Sequence, residues 1–246
     1  MQQDLTHPAR RRWTWWRLLG DCVALGAVFM LATVSAGTLG RLFEAYLRPM
    51  GIHPPGVQYD GYLFSFAAIV TTIVCLPFAW WLARRREPDP TRFLGLTRVP
   101  PRAIAIACAV MLGVMMGADA LARVVGVESP EFMVDIYASG DSRILLFLAV
   151  GVAAPVLEEV LFRGYLFGAL RALNVPLWII ALVTSVAFAV LHTQYDPFFM
   201  LAIFATGVAL VWARIHFDSV VPSIAMHVMN NVLALIAVYL MASTPA

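Results

Sequence analysis

Long apolar runs separated by short polar or charged segments dominate the pattern along this chain. Seven such runs stand out, at about residues 18–39, 62–83, 102–125, 144–170, 176–192, 198–213 and 220–240. Their lengths lie around the roughly 20 residues that a helix needs to cross the hydrocarbon core of a bilayer. The pattern predicts an all-α fold, a polytopic transmembrane helical bundle of about seven spans.

The composition also indicates a membrane protein. Of the 246 residues, 61% are hydrophobic and 13% are charged, and the mean hydropathy is +0.80. Soluble globular domains average roughly 45–50% apolar and about 25% charged residues. The formal net charge of +2 is too small to indicate a nucleic-acid-binding protein. We therefore expect an integral membrane protein whose surroundings are the lipid bilayer.

Charge placement predicts the topology. All 17 basic residues are arginines. With seven spans, the arginine clusters at 10–17, 84–102, 163–171 and 214 fall on one side of the membrane, and the acidic loop at 128–141 falls on the other. The positive-inside rule then predicts a cytoplasmic N-terminus. The first apolar run continues past a candidate signal-peptide cleavage site, so we favour a retained first helix.

A few polar residues interrupt the apolar runs, and they concentrate in the C-terminal half. They are Glu158, Glu159, Arg163, His192, His227, Asn230 and Asn231. Ionisable residues are costly inside a membrane and usually face a partner or a cavity. These residues are therefore candidates for function, and we expect any active-site cavity to lie within the C-terminal four helices.

The fourth run contains two adjacent carboxylates with different surroundings. Glu159 and Arg163 are four residues apart, so their side chains can meet on one helix face. Glu158 is rotated by about 100° from Glu159 and has no cation on its own helix. We interpret Glu159 and Arg163 as a supporting ion pair and Glu158 as the carboxylate free for chemistry. The alternative is a buried ion pair that only fixes helix packing.

The two histidines have structural alternatives when each is considered alone. His192 shares a helix face with Phe188, and His227 shares one with Asn231. Either histidine could be a packing residue, and an asparagine in a membrane helix can link two helices. Together with Glu158 they favour a catalytic centre. Span lengths place Glu158 and His227 in the cytoplasmic half, whereas His192 is expected nearer the far side.

Three motifs resemble those of one protein family. They are Glu-Glu-x-x-x-Arg at 158–163, Phe-x-x-x-His at 188–192 and His-x-x-x-Asn at 227–231. Their order and spacing are similar to those of the CPBP family, which includes the CAAX-processing type II proteases and the bacteriocin-processing or immunity proteins of the Abi group. The resemblance covers roughly the last hundred residues. It divides the chain into an N-terminal cytoplasmic segment at 1–17, three helices with loops at 18–142 and a CPBP-like catalytic core at 143–246.

The resemblance implies an intramembrane endopeptidase. Glu158 then matches the catalytic glutamate, and His192 matches the histidine that helps it to activate water. His227 and Asn231 match the pair that stabilises an oxyanion. Supporting positions of the motifs are Glu159, Arg163 and Phe188. The implied partner is a membrane-embedded or membrane-tethered peptide or protein substrate, and the implied location is a bacterial inner membrane. The basic content, all arginine, is typical of a GC-rich bacterium, where prenylated CAAX proteins are not expected. This favours bacteriocin maturation, leader-peptide processing or membrane-protein turnover, without a choice among them.

Metal dependence is left open by the sequence. There is no HExxH motif, yet Glu158, His192 and His227 could supply the His₂Glu set of a catalytic zinc. In the metal-free alternative Glu158 acts as general base, and we favour it because Asn231 is better suited as an oxyanion donor than as a zinc ligand. No cofactor is favoured.

Two other functions compete with hydrolysis. A non-catalytic immunity or scaffold protein would need none of these side chains for activity. A small transporter or proton relay could use the same glutamate and histidines. The chain lacks the internal repeat expected of many transporters.

Overall fold

The computed structural model describes residues 13–47, 61–127, 136–137 and 143–243, and the regular structure of those residues is helical throughout. We number eight helices along the described chain. They are α1 (Trp15–Leu47), α2 (Gly61–Arg86), α3 (Pro90–Phe93), α4 (Pro101–Val125), α5 (Arg143–Ala172), α6 (Leu177–Val190), α7 (Pro197–His216) and α8 (Val221–Ser243).

Six of the described helices are long and apolar enough to cross a membrane. The helix α6 is also apolar, but it has only 14 residues and is therefore about 21 Å long. The prediction of an all-α, polytopic bundle is confirmed, with six candidate spans and one shorter apolar helix where about seven spans were expected. The protein is an integral membrane protein. Most of the predicted segment 1–17 lies outside the described residues.

The helix α5, which contains both carboxylates, is not a regular α-helix. Its segments Phe147–Ala153 and Val160–Leu166 are π-helical and flank the α-helical segment Ala154–Glu159. Pro155 has no backbone N–H, so the regular hydrogen-bond ladder is interrupted there. Such π-helical segments often occur at functional sites. The sequence analysis assumed regular α-helical geometry and did not predict them.

α5 occupies the centre of the bundle, where it is the most buried of the candidate spans and packs against α2, α6, α7 and α8. Glycines allow the closest approach. A Cβ atom added at Gly168 would lie 2.8 Å from the carbonyl oxygen of Phe93, and one added at Gly164 would lie 3.1 Å from that of Leu94. The turn formed by α3 therefore packs directly on the backbone of α5.

The buried apolar core beside α5 contains residues from four other helices. Met111 of α4, Phe188 of α6, Leu210 of α7 and Met226 of α8 belong to the same cluster. Side chains of this kind interlock at high density in protein interiors. The cluster therefore holds α6 and α8 in a defined position relative to each other.

A buried carboxylate connects α1 to the rest of the bundle. Asp21 accepts hydrogen bonds from Arg86 Nε at 3.0 Å, Arg86 Nη2 at 2.7 Å and the Tyr165 hydroxyl at 2.7 Å. Hydrogen bonds to an ionised group are stronger than those between neutral groups. Asp21 therefore ties the first helix both to α2 and to α5.

We expect Asp21→Asn to lower the free energy of unfolding by about 2 kcal/mol, because Arg86 and Tyr165 would lose charge-assisted hydrogen bonds. Thermal unfolding of the purified protein in detergent measures the effect. The control is Asp119→Asn, since Asp119 forms an exposed ion pair with Arg123 that is worth at most about 1 kcal/mol. Equal shifts in the two variants would contradict the proposed anchor.

Candidate active site

Glu159 and Arg163 form the ion pair that their spacing predicts. Arg163 Nη1 lies 2.8 Å from Glu159 Oε1, and both side chains are completely buried. Arg163 Nη2 also donates to the carbonyl oxygen of Gly207 at 3.1 Å. The guanidinium therefore neutralises the carboxylate within α5 and links α5 to α7.

Glu159 has a second partner, on a distant helix. His227 Nδ1 of α8 lies 3.0 Å from Glu159 Oε1. A carboxylate that is ionised beside Arg163 can only accept hydrogen bonds, so we assign a proton to Nδ1. The other ring nitrogen, Nε2, lies 3.7 Å from Glu158 Oε2. Glu159 thus orients His227 toward Glu158.

Glu158 differs from Glu159 in the exposure of its side chain. Its side chain is 29% exposed, whereas that of Glu159 is 0% exposed. The distance of 3.7 Å between Glu158 Oε2 and His227 Nε2 is too long for a direct hydrogen bond. Polar groups at such a separation are commonly bridged by water. The geometry therefore presents an accessible carboxylate beside a buried, oriented imidazole.

Phe188 brings the two histidines together. Its ring centroid lies 4.8 Å from that of His192 and 5.5 Å from that of His227, and Arg163 Cζ lies 4.7 Å from it. Span lengths predict that His192 lies nearer the far side of the membrane than His227, and this prediction is wrong because both rings contact Phe188. The short helix α6 ends at Val190, and the turn that follows places His192 against the same phenyl ring.

The backbone orients His192. Its Nδ1 lies 2.8 Å from the carbonyl oxygen of Phe188. A carbonyl oxygen only accepts hydrogen bonds, so Nδ1 carries the proton in the neutral ring. The Nε2 atom of the neutral ring is then an acceptor. In both His192 and His227, Nδ1 makes the orienting contact and Nε2 is the ring nitrogen on the opposite side of that contact.

The two asparagines of α8 have structural contacts of their own. Asn231 Nδ2 donates to the carbonyl oxygen of Val150 at 2.9 Å, and Asn230 Nδ2 donates to Asn231 Oδ1 at 3.1 Å. Asn231 thus links α8 to the first π-helical segment of α5, as the structural alternative suggested. Because an amide carries two N–H donors, the contact with Val150 occupies one of them.

Tyr195 lies beside these residues, and the sequence analysis did not select it. It follows His192 in the turn after α6, its backbone N–H donates to the His192 carbonyl oxygen at 3.1 Å, and the two ring centroids are 6.2 Å apart. Burial and, secondarily, the negative charge of Glu158 raise the pKa of Tyr195 to about 12. Its only sequence signal is its position three residues after a motif histidine.

The structure does not assemble the zinc set that the sequence allowed. Among the described residues, no three His, Cys, Asp or Glu side chains form a group that could hold a metal ion. Zinc binding through Glu158, His192 and His227 stays a prediction that metal analysis tests.

Comparison with known proteins places this site in a family. Residues 140–233 match the family model described as type II CAAX prenyl endopeptidase, Rce1-like. An Escherichia coli protein described as "Uncharacterized 24.3 kDa protein" is 28% identical over 179 residues, which cover 70% of this chain and 79% of that protein. No solved structure matches the chain. The match over residues 140–233 confirms the resemblance to the CAAX-processing proteases that the three motifs indicate.

Proposed function

We propose that the protein is an intramembrane endopeptidase that hydrolyses a peptide bond of a membrane-embedded or membrane-tethered substrate. The observation that carries the proposal is an accessible carboxylate, Glu158, next to the buried and oriented His227 within an apolar helical bundle. The match to the Rce1-like family supports a protease at the level of the family. Because the site lies among helices that span the membrane, its substrate must reach it within or beside the bilayer.

Water activation is assigned to Glu158 and His192. Glu158 removes a proton from a water molecule, and the water oxygen forms a bond to the scissile carbonyl carbon. The Nε2 atom of neutral His192 accepts a hydrogen bond from the same water and orients it. When the C–N bond breaks, the proton held by Glu158 passes to the leaving amine nitrogen. One water is consumed for each peptide bond that is cleaved.

Stabilisation of the tetrahedral intermediate is assigned to His227 and Asn231. His227, whose Nδ1 lies 3.0 Å from Glu159 Oε1, donates from Nε2 to the oxyanion when that nitrogen carries a proton. Asn231 supplies the amide N–H that Val150 does not use. Donors placed where negative charge develops are worth roughly 10²–10³ in rate when one is removed.

The proposal favours a mechanism without a bound metal, because Asn231, one turn beyond His227, is better suited as a second oxyanion donor than as a zinc ligand. The experiments below can also point to one of two non-hydrolytic functions. An immunity or scaffold protein would retain its function when Glu158 is neutralised. A transporter would move solute across vesicle membranes without any cleavage product.

We expect Glu158→Gln to abolish hydrolysis, because glutamine cannot accept the proton of water. Proteomic comparison of membranes from wild-type and variant cells should show precursors that accumulate only in the variant. Asp119→Asn is the matched control, since that carboxylate lies in an exposed pair with Arg123 on α4. The proposal fails if a normally inserted Glu158→Gln protein processes the same proteins as wild type.

We expect the Glu159–Arg163 pair to contribute mainly to the free energy of unfolding. Arg163→Met leaves a buried carboxylate without its cation and is expected to cost about 3–5 kcal/mol of unfolding free energy. Glu158→Gln should cost less than about 1 kcal/mol, because that side chain is accessible. Thermal unfolding in detergent measures the loss of stability in the two variants. The double variant Glu159→Gln with Arg163→Met should regain part of the stability, and no gain would argue against the pairing.

Metal analysis tests the chemical type. We expect the purified, active protein to contain no stoichiometric zinc and to keep its cleavage activity after treatment with a chelator. Elemental analysis and activity are measured on the same sample. Stoichiometric zinc whose removal abolishes cleavage and whose return restores it would replace the glutamate-type mechanism with a metal-dependent one.

A further inference from the structure

The described site has few hydrogen-bond donors for an oxyanion. His227 uses Nδ1 on Glu159, and its Nε2 can donate only when the ring is charged. Asn231 uses one amide N–H on Val150. A neutral donor beside Glu158 would therefore contribute strongly to catalysis.

Tyr195 has the position and chemistry of such a donor. The turn that follows α6 carries both His192 and Tyr195, and the backbone hydrogen bond between them holds the two rings in a tilted arrangement, 6.2 Å between centroids and 31° between planes. The side chain is half-buried, and the charge of Glu158 acts on its phenol group. An ordinary phenol, with a pKa of about 10, already stays protonated near neutral pH.

We infer that Tyr195 is a further catalytic residue of this site, whose hydroxyl donates a hydrogen bond to the scissile carbonyl oxygen as that oxygen becomes negatively charged. The inference rests on the proposed peptidase function. Tyr195 thereby complements His227 and Asn231.

The test uses the full chain in phospholipid vesicles with a library of internally quenched, lipid-anchored peptides. We expect Tyr195→Phe to lower kcat by about 10²-fold, with KM and the thermal midpoint close to wild type, because phenylalanine keeps the ring contact and removes only the hydroxyl. The shape of the pH profile should not change. Tyr239→Phe is the control, since that ring packs against Tyr137 and Arg143, outside the site.

The outcomes separate this inference from the proposed function. Loss of cleavage in Glu158→Gln together with a wild-type kcat in Tyr195→Phe overturns the role of Tyr195 alone. A lower kcat accompanied by a shifted acidic limb of the pH profile also overturns it, because Tyr195 would then act through Glu158. Wild-type protein that cleaves no peptide, or Glu158→Gln that cleaves as well as wild type, overturns both the inference and the proposed function.

Discussion

A carboxylate buried among apolar helices is stable only with partners, and the site depends on how this requirement is met at Glu159. Its charge is compensated by Arg163 one turn along the same helix and shared with His227 of α8. The desolvation of an ion pair is costly. It is offset here by the contacts of Glu159 Oε1 and of Arg163 Nη1 and Nη2, because Glu159 Oε2 and Arg163 Nε are buried without a hydrogen-bond partner among the described residues. Removing any member of this set leaves another charged or polar group exposed to an apolar interior.

The need to pair the charge of Glu159 also fixes the orientation of His227. Because Glu159 binds Nδ1 of His227, the other nitrogen of that ring faces Glu158. The buried carboxylate therefore orients the histidine, while the accessible carboxylate is left beside it. Two adjacent glutamates thus acquire different surroundings from a difference of about 100° around the helix axis. Acid–base sites typically place two carboxylates in different environments, as here, where one is buried and paired and the other is accessible.

Helix packing brings the remaining parts of the site together. Phe188 contacts both histidines and the guanidinium of Arg163, and it is also part of the apolar core that joins four helices. Phe188 therefore belongs both to the candidate site and to the core that stabilises the bundle. The π-helical segments of α5 lie on either side of the two glutamates, and Asn231 binds the backbone of the first segment.

The sequence by itself determined the membrane-embedded helical fold, the Glu159–Arg163 pair and the family resemblance of its C-terminal part. These follow from apolar run length, from the four-residue spacing of a helix face and from three short motifs, all of which are local properties of the chain. The tertiary structure decided that Glu159 also orients His227, a contact across 68 positions of sequence. It also decided the depth of His192, the irregular geometry of α5 and the position of Tyr195. Contacts between separate helices, and a turn whose conformation depends on the helices around it, have no periodic signal in the sequence, so only the packed bundle shows them.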